Sequence, residues 1–242
     1  MEAIKTIGLT KKYKDLVAVD GLELEIFQGE LFALLGVNGA GKTTTIKMLT
    51  GLTQPTEGDA LIGGFSITKE PLDAKRLLGV SPQETAVAPN LTVQENLALM
   101  GSIYGLPKEI VREKVHTLAE QFGMIEILNK RAGKLSGGWQ RRLSIAMALI
   151  GEPRVLFLDE PTLGLDVLAR SELWDMIRSL KGKVTIVLTT HYMEEAQALS
   201  DRIGIMQKGR LLITRTAEEL MTLTNTDSVE NAFISIVKGA QK

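Results

Sequence analysis

The stretch Gly36 to Thr44 reads Gly-Val-Asn-Gly-Ala-Gly-Lys-Thr-Thr and follows directly on the apolar run Leu31 to Leu35. A strand, a glycine-rich loop and a helix start therefore succeed one another without a gap. The spacing Gly36, Gly41, Lys42, Thr43 fits the phosphate-loop pattern, in which residues without side chains let successive N–H groups curl around the phosphates of a nucleotide. Asn38, Gly39, Ala40, Gly41 and Thr44 belong to the same cradle. Lys42 would reach the β- and γ-phosphates, and Thr43 would offer its hydroxyl to Mg²⁺. The helix opening at about Lys42 turns its positive end towards the same place. Average residue usage gives the bare pattern about a 1% chance in a chain this long. The apolar strand before it and the helical spacing of Ile46 and Leu49 after it lower that chance further.

With 242 residues the chain can bury a sizeable core. Lys and Arg number 28 against 29 Asp and Glu, so the net charge of −1 offers no general attraction for nucleic acid or anionic lipid. No nucleic-acid partner is expected. The absence of cysteine removes disulfides and thiolate metal sites. The N-terminus lacks the apolar core of a signal peptide, and no apolar run nears the roughly 18 residues that span a bilayer. The chain is therefore not expected to be a membrane channel itself.

Strands are expected at Ile4 to Leu9 and Leu22 to Phe27, the latter from the alternation of Leu22, Leu24 and Ile26 with Glu23 and Glu25. Gly51 to Gly64 reads as turns around a small strand, and Leu77 to Val80 as another strand. From Leu91 to Ile150 the period turns helical, with a long helix from about Gly137 that stops before Glu152-Pro153. Val155 to Leu158 is an unbroken apolar run, as a parallel strand buried on both faces requires. A helix over about 168–180, a strand over 184–190, short strands over 202–206 and 211–214, and an amphipathic stretch over 228–237 complete the chain. The expectation is one composite α/β domain. A core with a small antiparallel β subdomain takes about 1–83 and 153–220, an inserted α-helical subdomain about 84–152, and a C-terminal tail helix about 221–242.

Asp159 and Glu160 end the buried strand. A carboxylate there can hold Mg²⁺, and the next can polarise a water that attacks the γ-phosphate; an acidic strand end facing solvent is the plainer alternative. Gln83 is either a turn amide or a ligand for Mg²⁺ and that water. His191, ending a strand of the same apolar type, is either a satisfied polar residue or a donor to the γ-phosphate. Tyr13, in the basic run Lys11 to Lys14, stacks on an adenine or merely snorkels. Ser136, Gly137 and Gly138, after Leu135, open a helix and leave N–H groups free for an anion; from these residues alone a serine N-cap is the stronger reading.

Taken in order, Tyr13, the phosphate loop, Gln83, Leu135 to Gly138, Val155 to Glu160, Leu165-Asp166 and His191 resemble the nucleotide-binding subunit of ATP-binding cassette (ABC) transporters over nearly the whole chain. The resemblance implies a P-loop NTPase core, with Tyr13 stacking on adenine, Gln83 as Q-loop, Asp166 as D-loop, His191 as switch histidine and Glu160 as catalytic carboxylate. Thr43, Asp159 and Gln83 would serve Mg²⁺. It further implies a dimer, of identical or different cassettes, that sandwiches two ATP molecules. Each would lie between one chain's phosphate loop and the other's Ser136, Gly137 and Gly138. Trp139 replaces the usual glutamine after Leu-Ser-Gly-Gly, and Thr162 to Leu165 precedes Asp166. These features resemble the drug, lipid and polysaccharide export branch called ABC-2. The implied function is an ATPase subunit, peripheral on the cytoplasmic face of the cell membrane, that powers a separate transmembrane permease. The rival class is a soluble ABC-type ATPase acting on ribosomes or DNA without a permease. A GTPase is disfavoured because Asn129-Lys130-Arg131-Ala132 fails the guanine motif at its last position.

Overall fold

The structure is a computed structural model describing residues 1–240. Strand β1 (Glu2–Tyr13) runs four residues beyond the expected Leu9 and carries Tyr13 at its tip. The strand expected from Leu22 to Phe27 is two strands instead, β2 (Leu16–Leu22) and β3 (Glu25–Phe27), both antiparallel to β1. They part where side chains take over ladder positions: Gly8 N donates to Glu23 Oε1 at 2.6 Å and Leu24 N to Thr6 Oγ1 at 2.7 Å. The two leucines and the isoleucine still face inward, so the alternation was right about burial and wrong about continuity.

All five residues of β4 (Leu31–Leu35) are buried, and α1 (Lys42–Leu49) follows the phosphate loop. Strands β5 (Glu57–Ile62) and β6 (Phe65–Ser66) join β1 to β3 in an antiparallel sheet of order β2-β1-β5-β6, with β3 on β1. Next come α2 (Pro71–Arg76), which the periodicity did not reveal because it is a single short turn opened by proline, and β7 (Leu78–Ser81). Helices α3 (Val93–Ile103), α4 (Lys108–Gln121) and α5 (Gly137–Leu149) form the helical segment, with 3₁₀ turns at Ile125–Ile127 and Ala132–Lys134. The last part alternates as β8 (Val155–Asp159), α6 (Val167–Leu180), β9 (Thr185–Thr190), α7 (Met193–Leu199), β10 (Arg202–Gln207) and β11 (Arg210–Arg215). It closes on α8 (Ala217–Thr224) and α9 (Val229–Gly239). The single tail helix expected over 221–242 is thus two helices, divided where Asn225 turns left-handed at φ 51°; Gln241 and Lys242 lie outside the described residues.

The second sheet has the order β11-β10-β4-β9-β8-β7, parallel throughout except for β11. Every residue of β4, β8 and β9 is buried, because both faces of the sheet are covered. Val93, Val115, Phe122 and Ile145 of the helical segment pack into one core with Leu156 and Ile186 of that sheet. The antiparallel sheet and α1 close its opposite face through Ile26, Phe32, Met48 and Phe157. Among the described residues, no helix is long and apolar enough to cross a membrane.

Candidate functional site

Three neighbouring parallel strands end at one place. Leu35 of β4 pairs with Thr190 of β9, and Thr189 pairs with Asp159 of β8, so Gly36, His191 and Glu160 begin side by side. The carboxyl end of a parallel sheet is where α/β folds hold ligands, since the loops leaving the strands diverge there. A cavity of about 690 Å³ opens at these ends, a volume suited to a nucleotide. Asn38 to Thr44, Tyr13, Gln83, Glu160 and His191 all line it.

The loop glycines are fixed by contacts within the chain. A Cβ on Gly36 would lie 2.5 Å from the Met206 carbonyl oxygen, and one on Gly41, whose φ is +107°, 2.5 Å from that of Ala18. Gly41 sits at the N-cap of α1 with no side-chain cap, and no acidic residue occupies the first turn. The open N–H groups and the dipole end therefore stay available to an anion. Lys42, only 5% exposed, turns back into the loop: Nζ donates to the Gly36 carbonyl at 2.8 Å and the Val37 carbonyl at 3.3 Å, and lies 3.5 Å from Glu160 Oε1.

Thr43 Oγ1 donates to Asp159 Oδ1 at 3.4 Å, and Thr189 Oγ1 donates to the same oxygen. Glu160 stands one residue beyond β8 with φ +46°, its N–H held by the Thr189 carbonyl and hydroxyl, each at 3.1 Å. A residue turned left-handed at this point escapes strand alternation, which brings Glu160 to the cavity wall, while Asp159 stays behind the wall and reaches the site only through Thr43. His191 Nδ1 lies 3.2 Å from Glu160 Oε2 but makes no aligned hydrogen bond. Gln83 is steadied through its backbone: the buried Arg141 guanidinium of α5 donates to the Pro82 carbonyl at 2.6 Å and the Gln83 carbonyl at 2.5 Å. Burial lowers the pKa of that guanidinium against the pull of Asp159 and Glu195.

Among the described residues, no group of three His, Cys, Asp or Glu could hold a metal unaided. Thr43 and Asp159 present two hard oxygens close together. That donor set suits a Mg²⁺ whose other ligands are water and phosphate oxygens.

Ser136, Gly137, Gly138 and Asp166 do not line this cavity. Ser136 holds the N-cap position of α5, yet its exposed hydroxyl makes no capping bond, so the N-cap reading holds in place but not in bonding. Asp166, also exposed, caps α6 by accepting from Ala169 N at 2.9 Å. A Cβ on Gly138 would come within 3.2 Å of Ala169, and one on Gly137 within 3.8 Å of Leu165, so the two motifs share a patch. Trp139 is half-buried against the helical core, with the Arg142 guanidinium 4.7 Å from its ring.

Sequence reasoning passed over Ala18 and Lys208, which also line the cavity. Lys208 and Gly209, at φ 47° and 83°, form the two-residue turn between β10 and β11, and Gly209 N donates to the Ala40 carbonyl at 2.9 Å. The place of this turn beside the phosphate loop follows only from β10 pairing with β4.

Residues 19–163 match the family model described as "ABC transporter". The chain is 40% identical over 240 residues to the probable multidrug ABC transporter ATP-binding protein YbhF of Escherichia coli, which covers 97% of this chain but 41% of that protein. It is 41% identical over 221 residues to the doxorubicin resistance ATP-binding protein DrrA of Mycobacterium tuberculosis, covering 90% of this chain and 67% of that protein. The chain thus spans about two fifths of the first relative and two thirds of the second. Among solved structures, a dimeric ATP-binding cassette in a post-hydrolysis state with ADP and Pi superposes with a TM-score of 0.79 at 26% identity, over 88% of this chain and 98% of that one.

Proposed function

This chain belongs to the ABC transporter family, and we propose that it is the ATP-hydrolysing subunit that powers export of a substrate through a separate transmembrane permease. The observation that carries this reading is the single cavity that gathers Tyr13, the phosphate loop, Gln83, Glu160 and His191, while Ser136, Gly137 and Asp166 stand exposed and Gly138 half-buried outside it. Half of a nucleotide site faces inward and the complementary half faces solvent, which calls for a second cassette, identical or different. A similar ATP-binding cassette is dimeric in a post-hydrolysis state with ADP and Pi, which supports that reading.

Tyr13 would lie against the adenine, and the N–H groups from Asn38 to Thr44 would receive the phosphates. Lys42 would exchange the Gly36 and Val37 carbonyls for phosphate oxygens. That exchange draws the ammonium from Glu160, leaving its carboxylate to accept a proton from the water attacking the γ-phosphate. His191 would orient that water or the γ-phosphate from the far side of Glu160. Thr43, Asp159 and Gln83 would hold Mg²⁺, which supplies charge neutralisation at the phosphates. Closure on ATP and opening after hydrolysis would be felt by a permease docked near the helical segment and Gln83. The site of action would be the cytoplasmic face of the membrane.

Purified protein with Mg²⁺ and ATP tests the chemistry. Glu160→Gln should bind nucleotide normally while turnover falls by about a hundredfold or more, and turnover at the native rate would remove Glu160 as the base. Capture of the tagged chain from its own membranes tests the coupling. A multi-span membrane protein should accompany it, whereas ribosomal or chromosomal proteins in its place would keep the ATPase and overturn transport.

A further inference from the structure

Glu195, on α7 four residues beyond His191, has no exposed surface. Its Oε1 accepts two hydrogen bonds, from Thr162 Oγ1 at 2.8 Å and Trp174 Nε1 at 3.1 Å, while Oε2 is buried with no partner. Thr162 lies between Glu160 and Asp166 in a turn folded on itself, with Leu163 N donating to the Glu160 carbonyl and Leu165 N to the Thr162 carbonyl. Trp174 belongs to α6, which Asp166 caps. One carboxyl oxygen thus joins the segment carrying Glu160 and Asp166 to the one carrying His191. The Arg170 guanidinium spans the same gap, 5.9 Å from the Trp174 ring and 5.8 Å from the Tyr192 ring.

A buried carboxyl with an empty acceptor is a poor way to stabilise a core, where an apolar side chain would pack without the desolvation cost. We propose that Glu195 is a positioning residue that locks the turn between Glu160 and Asp166 to the His191 segment, so that base, switch histidine and D-loop shift as one unit when nucleotide arrives or leaves. Burial raises the proton affinity of this carboxyl, and the bonds from Thr162 and Trp174, the nearby Thr190 hydroxyl and the charge of Arg170 offset it only in part. Arg141 of α5 is the other charged group in reach. An amide matches this side chain in shape and keeps the oxygen that accepts from Thr162 and Trp174, so it is a close substitute.

The inference rests on the hydrolytic reading above, so its test includes one measurement that does not. Glu195→Ala, Glu195→Gln and Thr162→Val are made in the full chain. Turnover is followed against ATP concentration, and the imidazole NMR signals of the two histidines, His116 and His191, are recorded without nucleotide. The alanine variant should lose about ten- to a hundredfold in kcat while KM stays within about twofold, because the phosphate loop is untouched. Its His191 signal should move and its His116 signal should stay. Thr162→Val should show the same split in milder form, and Glu195→Gln should recover most of the lost turnover and the His191 position. A folded alanine variant with native kcat and an unmoved His191 signal overturns the proposal. So does joint loss of kcat, KM and both histidine signals, which marks a residue needed only for folding. If the native protein does not hydrolyse ATP, the hydrolytic reading fails, and the His191 shift still decides whether the segments are linked.

Discussion

Replacing Lys42 with methionine should destabilise the nucleotide-free protein, and adding Glu160→Gln should return a large part of the loss. The ammonium lies 3.5 Å from Glu160 Oε1, with the two side chains 5% and 10% exposed. At an effective dielectric of about 20 the bare attraction at that distance is about 5 kcal/mol. Desolvation of both groups takes back much of it, leaving a coupling of about 2 kcal/mol. Methionine fills the volume of lysine but strands the carboxylate and gives up the bonds to the Gly36 and Val37 carbonyls. Together these make a loss of about 3 to 4 kcal/mol. For a chain this long each kcal/mol moves the melting temperature by about 2–4 °C, so the single variant should melt about 10 °C early and the double variant should recover about 5 °C. Thermal unfolding of the four proteins of the cycle, with nucleotide and divalent cations removed, measures the coupling directly, because the contact between Glu160 and His191 cancels. The pair is buried, so salt should change the result little. If Glu160→Gln has the same effect with Lys42 present or absent, the two side chains do not interact and the displacement of Lys42 by phosphate loses its basis.

Gly41→Ala should cost about 2–4 kcal/mol and abolish nucleotide binding, since the new methyl would meet the Ala18 carbonyl at 2.5 Å with φ at +107°. Gly39→Ala, at φ +80° with nothing within 4 Å, should cost only about 1 kcal/mol; melting curves and a fluorescent-nucleotide titration separate the two, and equal losses would refute the contact argument. Arg141→Lys cannot hold the Pro82 and Gln83 carbonyls together, so kcat should fall about tenfold with nucleotide affinity kept. Native turnover in that variant would free Gln83 from its clamp.

What was legible in the sequence is what local chemistry encodes. The phosphate loop is nine consecutive residues, and β4, β8 and β9 announce themselves as apolar runs because both faces are buried. The helix start at Gly137 is likewise local. What stayed hidden depends on which distant segments meet. Glu194 and Glu195 are alike in sequence, at the start of a helix that was not expected, yet the first is exposed and the second wholly buried. Only the packing of α6 against α7 makes that distinction. Helix α8 is a different case: Thr216 and Glu219 form a capping box that the sequence displays and periodicity alone passes over.

The two glycine-bearing helix starts resolve the same physical problem in opposite ways. Both α1 and α5 begin without a side-chain cap and without an acid in the first turn, so each keeps unsatisfied N–H groups at a positive end. At α1 the loop folds over that end and Lys42 waits inside, held by two carbonyls and a carboxylate that phosphate must displace. At α5 nothing folds over it. Ser136 leaves its hydroxyl unspent, and Leu165 and Ala169 crowd the glycines against the segment that Asp166 caps. A cavity that already contains one lysine, one carboxylate and one set of loop amides has no use for a second anion site on its own chain. The exposed start of α5 makes chemical sense as the cover for another chain's phosphates. Under the proposed function, release of phosphate after hydrolysis would remove the charge holding two chains together, and a membrane partner would feel that loss.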